Sequence, residues 1–160
     1  MGVFQVSLKI KGSIDKSQIN EKPEYSWTKL NADRSITGGR NNLKASFGGI
    51  FRDYKGDPIC AYVSKVLHPQ DVHNIFVVDL WGIWGGLKLA LELGNKSIWI
   101  EFDSLSAVKT INGEQQSHNP RVKCGLVWIW ELLNKFDNCI ISHTWRETNR
   151  AADYLTKIDL

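Results

Sequence analysis

At 160 residues the chain is long enough for one domain with a substantial core, and a composition of 42% hydrophobic and 23% charged residues excludes general disorder. A net charge of +3 permits a polyanionic partner without requiring one. Three widely spaced cysteines, Cys60, Cys124 and Cys139, exclude a disulfide framework or a clustered zinc site and read as buried free thiols in a reducing compartment.

The N-terminal stretch lacks a long apolar run, so neither a signal peptide nor a membrane span is expected. The default location is inside a cell, with nucleus and cytoplasm not distinguished. Residues 1–24 read as an N-terminal extension or linker. Val3 to Ile10 alternates like a strand, but Lys11-Gly12-Ser13 and the polar run through Lys22-Pro23 break it. A single domain is expected over residues 25–160.

Trp27 to Asp33 predicts that domain's first strand, ending on a carboxylate before a loop with Gly38 and Gly39. Leu43 to Arg52 predicts a second strand, with a bulge or a close backbone approach at Gly48-Gly49. The turn signal Asp53-Tyr54-Lys55-Gly56-Asp57-Pro58 leads into a third strand over Ile59 to Leu67. From Asn74 the period lengthens. Leu80, Trp84, Leu87 and Leu91 form a helical stripe that Gly94 closes, and Gly82, Gly85 and Gly86 inside it imply close packing on the sheet.

Ser97 to Asp103 is a further strand ending in an aspartate, and Ser104 can cap a helix over Leu105 to Ile111. After a polar loop, Arg121 to Phe136 reads as a helix whose Trp128 and Trp130 belong to the core rather than to a base-stacking platform. Cys139 to Trp145 predicts the last strand and Glu147 to Ile158 a final helix. The order β-β-β-α-β-α-α-β-α implies an α/β fold: a mixed five-stranded sheet, three antiparallel strands then parallel ones, with helices on both faces. Right-handed crossovers set the strands ending in Asp33 and Asp103 side by side, their ends opening one crevice.

Asp79 near the start of the long helix and Asp153 in the final helix can complete a four-acid set with Asp33 and Asp103. Four carboxylates converging on one crevice repel one another without cations, so the set predicts hard divalent metals. Two Mg²⁺ ions in shared carboxylates, or Mn²⁺ in their place, suit phosphodiester cleavage. His143 is a candidate proton carrier. Taken singly, each acid is also an ordinary strand end, helix-start charge or surface charge.

The quoted residues then resemble a known family. Lys29-Leu30-Asn31-Ala32-Asp33-Arg34-Ser35, Gly48-Gly49-Ile50-Phe51-Arg52-Asp53 and Asp79-Leu80-Trp81 are similar to successive motifs of plant-type ribonuclease H-like domains associated with retroelement reverse transcriptases. So are Gly86-Leu87-Lys88-Leu89-Ala90-Leu91-Glu92-Leu93-Gly94, Ile100-Glu101-Phe102-Asp103-Ser104-Leu105 and the run from His143 to Asp153. The resemblance covers about Trp27 to Ile158. It implies a type 1 ribonuclease H fold that cuts the RNA strand of an RNA–DNA hybrid with two Mg²⁺ ions. It also implies Asp33, Asp79, Asp103 and Asp153 as metal ligands, His143 as the family's histidine and Asn149 as its asparagine.

Arg34, Arg40, Lys44, Arg146 and Arg150 lie near the same crevice and are candidate phosphate contacts. The expected partner is a hybrid or another nucleic acid, read by shape, and the expected state is a monomer. The chain departs from the family where Asp79 replaces a usual glutamate, Arg34 a usual glycine and Trp145 a usual proline, and where Arg40-Asn41-Asn42-Leu43-Lys44 fills a usual glycine-rich loop. These departures leave open an alternative: a weakened or inactive nucleic-acid-binding relic of such a domain.

Overall fold

A computed structural model of the chain describes residues 27–66 and 71–144. Eight elements follow in order: β1 Trp27–Thr37, β2 Lys44–Arg52, β3 Pro58–Lys65, α1 Ile75–Glu92, β4 Ser97–Phe102, α2 Leu105–Ile111, α3 Pro120–Leu133 and β5 Asn138–His143. A single 3₁₀ turn, Asp71–His73, leads into α1. The extension over residues 1–24 and the helix expected at 147–158 lie outside the described residues. No helix among the described residues is long and apolar enough to cross a membrane.

The sheet order is β3-β2-β1-β4-β5. β1, β2 and β3 form an antiparallel meander, and β4 and β5 join β1 in parallel. This is the expected mixed sheet. β1 differs in one respect: it runs four residues past Asp33, because β2 keeps pairing with it from Asp33↔Gly48 to Thr37↔Lys44. Its parallel partner β4 stops at Phe102. The irregularity in β2 falls between Phe51 and Arg52 rather than at its paired glycines.

Gly49 instead marks the close approach: a Cβ there would sit 2.8 Å from the Asn31 carbonyl, Leu30 and Tyr62. The helix glycines have the same cause. A Cβ on Gly85 would lie 2.8 Å from the Phe47 ring, and one on Gly86 would collide with Leu30 and with the Tyr62 hydroxyl at 2.6 Å. Tyr62 in turn donates to the Gly82 carbonyl at 2.9 Å. The run of small residues lets α1 lie close on β1 and β2, which outweighs the roughly 1 kcal/mol of helix propensity lost per glycine.

Local signals fix the helix ends. The Asn74 side chain accepts from the Phe76 and Val77 amides and Ser104 from that of Ala107, each cap contributing about 1 kcal/mol. Gly94 adopts φ 81°, the left-handed turn that ends α1. Leu30, Phe51, Ile83, Leu87, Phe102 and Ile129 are fully buried in one core, and all six residues of β4 are buried, so both faces of this strand are enclosed. The three cysteines are free thiols, as expected, but only Cys139 is buried; Cys124 is exposed on α3. Burial pushes the Cys139 thiol up to about 11.

Candidate active site

Strand pairing brings two of the acids together. Ala32↔Phe102 is the last pair of the parallel β1–β4 ladder, so Asp33 and Asp103 leave it together on neighbouring strands. Asp33 is buried, and its Oδ1 accepts the Arg34 amide at 2.7 Å. Asp103 is half-buried and directly precedes Ser104, the cap of α2.

Asp79 arrives from the fifth position of α1, and only 2% of it is exposed. Burial, the largest effect, pushes its carboxyl up to about 6. The Arg34 guanidinium opposes this through its charge and a hydrogen bond, the negative charge of Asp103 adds to it, and a hydrogen bond with the Ser104 side chain lowers it again. Asp79 therefore lies within electrostatic reach of Asp103.

Arg34 completes the group in an unexpected way. It falls on the β1 face that carries Leu30 and Ala32 into the core under α1 and has Phe47 as its cross-strand partner. That alternation aims it at the helix. Its Nε donates to Asp79 Oδ1 at 2.9 Å, and the Arg34 side chain stays 25% exposed. Expected among the phosphate contacts, Arg34 is found on a carboxylate.

His143, half-buried, ends β5 and pairs in register with Phe102, one strand over from the Asp33–Asp103 pair. Arg40 and Lys44 are exposed at the far end of the β1–β2 hairpin, where Lys44 pairs with Thr37. Asp153, Arg146, Asn149 and Arg150 lie outside the described residues. Among the described residues no group of three or more His, Cys, Asp or Glu is arranged to hold a metal ion. The donor chemistry, carboxylate oxygens only, suits a hard divalent cation at Asp33 and Asp103, whereas at Asp79 a guanidinium already fills the role of cation.

Sequence reasoning missed three supporting arrangements. Ser104 touches Asp79 as well as capping α2, and the only sequence signal for it is adjacency to Asp103. Below the acids, Lys29 Nζ meets Glu101 Oε1 at 2.7 Å, Asn31 donates to Glu101 Oε2 at 3.0 Å, and Lys29 lies over the Trp99 ring. This buried polar ladder occupies the sheet face of Asp33 and Asp103, and its signal was the polar period-2 run Lys29-Asn31-Asp33. Finally, buried Asp71 accepts from Arg121 and from Trp81 Nε1, fastening the 3₁₀ turn to α1 and α3. Beside that clasp, Trp81, Trp84, Arg121, Cys124 and Trp128 line a groove of about 330 Å³. Trp128 is 47% exposed there, so its expected place in the core is corrected. Trp130 is half-buried, its indole N–H bonded to the Ile111 carbonyl.

A family described as Reverse transcriptase-like matches residues 35–158. None of the curated proteins matches the chain's sequence. Among solved structures, ribonuclease H1 from the halophilic archaeon Halobacterium salinarum superposes with a TM-score of 0.70 at 21% identity, covering 81% of this chain and 93% of that one. LC11-RNase H1, isolated from compost by a metagenomic approach and solved in complex with an RNA/DNA hybrid, gives 0.62 at 18% identity, covering 80% and 92%. The foamy viral protease-reverse transcriptase in complex with an RNA/DNA hybrid gives 0.66 at 14%, covering 92% of this chain and 22% of that one. At these identities the shared property is the ribonuclease H-like fold.

Proposed function

Because the chain belongs to the Reverse transcriptase-like family, its ribonuclease H-like fold intact over the described residues, we propose that it is an endoribonuclease acting on the RNA strand of RNA–DNA hybrids. The observation that carries this reading is the meeting of Asp33 and Asp103 at the end of the parallel ladder, with Asp79 on α1 within electrostatic reach of Asp103. Asp33, Asp79, Asp103 and Asp153 are the residues that would hold two Mg²⁺ ions, with Mn²⁺ as substitute. When bound, such ions activate a water and stabilise the leaving oxygen of a phosphodiester.

The chain's own groups do the rest. Asp33 and Asp103 give the crevice its negative charge, Asp33 from within β1, where it pairs with Gly48 of β2, and Asp103 from the residue directly after β4. Ser104 orients the Asp79 carboxylate. His143, beside the end of β4, carries a proton away from the attacking water in this reading. Arg40 and Lys44, with Arg146, Asn149 and Arg150, contact the backbone of the hybrid, whose A-form shape rather than sequence is recognised. That two solved structures of this fold hold RNA/DNA hybrids supports the choice of substrate.

The test is incubation of the purified protein with a hybrid carrying a labelled RNA strand, with Mg²⁺ present. Nicking that Asp103→Asn abolishes is expected; robust cleavage by that variant would falsify the site assignment. A second reading, hybrid binding without cleavage, is favoured by the Arg34–Asp79 pair. It predicts salt-sensitive retention of the hybrid with no product.

A further inference from the structure

The carboxylate that α1 brings to the crevice already has a cation. Arg34 Nε lies 2.9 Å from Asp79 Oδ1, with the carboxylate side chain 3% exposed and the guanidinium side chain 25% exposed. A carboxylate this deeply buried is strongly disfavoured without a positive partner, so Arg34 leaves only when another cation takes its place. The contact is built into the strand. Residue 34 shares the α1-facing side of β1 with Leu30 and Ala32, and a glycine at this position would bring no charge to Asp79 at all. Aspartate on the helix has one methylene less than glutamate, which shortens its reach toward Asp33 and Asp103 on the strands.

Resting on the ribonuclease reading above, we infer that Arg34 is a tethered cation that occupies the Asp79 side of the crevice and competes there with a divalent ion. The nucleic-acid-free protein then takes one divalent cation, at Asp33 and Asp103. A second is admitted only in exchange for Arg34 at Asp79. The natural competitor for the guanidinium is a phosphate of the bound strand. Nε makes the bond to Asp79, and a guanidinium carries five N–H in all, so four remain for an oxyanion. Divalent-ion binding and nucleic-acid binding therefore strengthen each other by the same factor.

The experiment is a Mn²⁺ titration without nucleic acid, following free Mn²⁺ by its electron paramagnetic resonance signal. It compares wild type, Arg34→Met, Arg34→Lys and Asp103→Asn. Methionine keeps most of the apolar stem that packs under α1 and removes the charge. Arg34→Met is expected to bind two ions where wild type binds one, or to bind at least about tenfold more tightly, since a like charge in contact with the site is gone. Arg34→Lys, which keeps the charge, is expected to retain the wild-type stoichiometry; a Lys variant that titrates like Arg34→Met overturns the electrostatic cause. If Arg34→Met and wild type bind alike while Asp103→Asn loses the ion, the inference fails and the ribonuclease site stands. If no variant binds Mn²⁺, or Asp103→Asn binds as wild type does, the metal site of the ribonuclease reading falls and this inference falls with it.

Discussion

Asp79 makes the stability of the fold depend on pH. Its carboxyl is raised from 3.8 to about 6, burial being the largest cause. The folded state thus prefers the protonated form. The resulting stabilisation is complete below about pH 4 and is lost as the pH rises through about 6, which leaves a costly buried charge at neutrality. Asparagine keeps the shape and an acceptor for Arg34 without that charge. Asp79→Asn is expected to gain stability relative to wild type as pH rises from 4 to 7.5, by on the order of 2 kcal/mol. Urea midpoints at the two pH values, with chelator present, check this; a difference independent of pH would contradict it.

The sheet and α1 together determine what the site residues can reach. Their existence was legible in the sequence, because Leu30, Ala32 and Phe102 follow strand alternation and Asn74, Ser104 and Gly94 mark helix ends by hydrogen-bond chemistry that needs no tertiary information. The expected close packing of α1 was legible too, from three glycines that make no sense in an isolated helix. Their individual neighbours were not, since Phe47, Leu30 and Tyr62 come from three different strands. Gly86→Ala therefore tests the element. Alanine recovers roughly 1 kcal/mol of helix propensity, but its methyl meets Leu30 and Tyr62, and overpacking of this kind costs about 1–3 kcal/mol. A lowered melting temperature is expected, whereas an increase would show that α1 can lift off the sheet freely.

At the scale of the molecule, the sheet order decides which acids meet. Asp33 and Asp103 were legible as neighbours because β1 and β4 run parallel and each acid directly follows the last pair of their ladder, Ala32↔Phe102. The Arg34–Asp79 contact was not, although both residues stood out as departures from the family, because it depends on how far α1 sits along β1 and on which face residue 34 presents. The buried Lys29–Glu101 pair escaped for a similar reason: it joins two strands distant in sequence, and removing either partner alone leaves a charge without water. The proposed activity of this frame is the cutting of RNA that is paired with DNA. The most direct measurement sets three duplexes of one sequence, RNA–DNA, RNA–RNA and DNA–DNA, each with either strand end-labelled, against the protein with Mg²⁺. Internal cuts in the RNA strand of the hybrid alone, lost in Asp33→Asn and Asp103→Asn, are expected. Cutting of the DNA strand, equal cutting of all three duplexes, or an intact hybrid at saturating protein would contradict it.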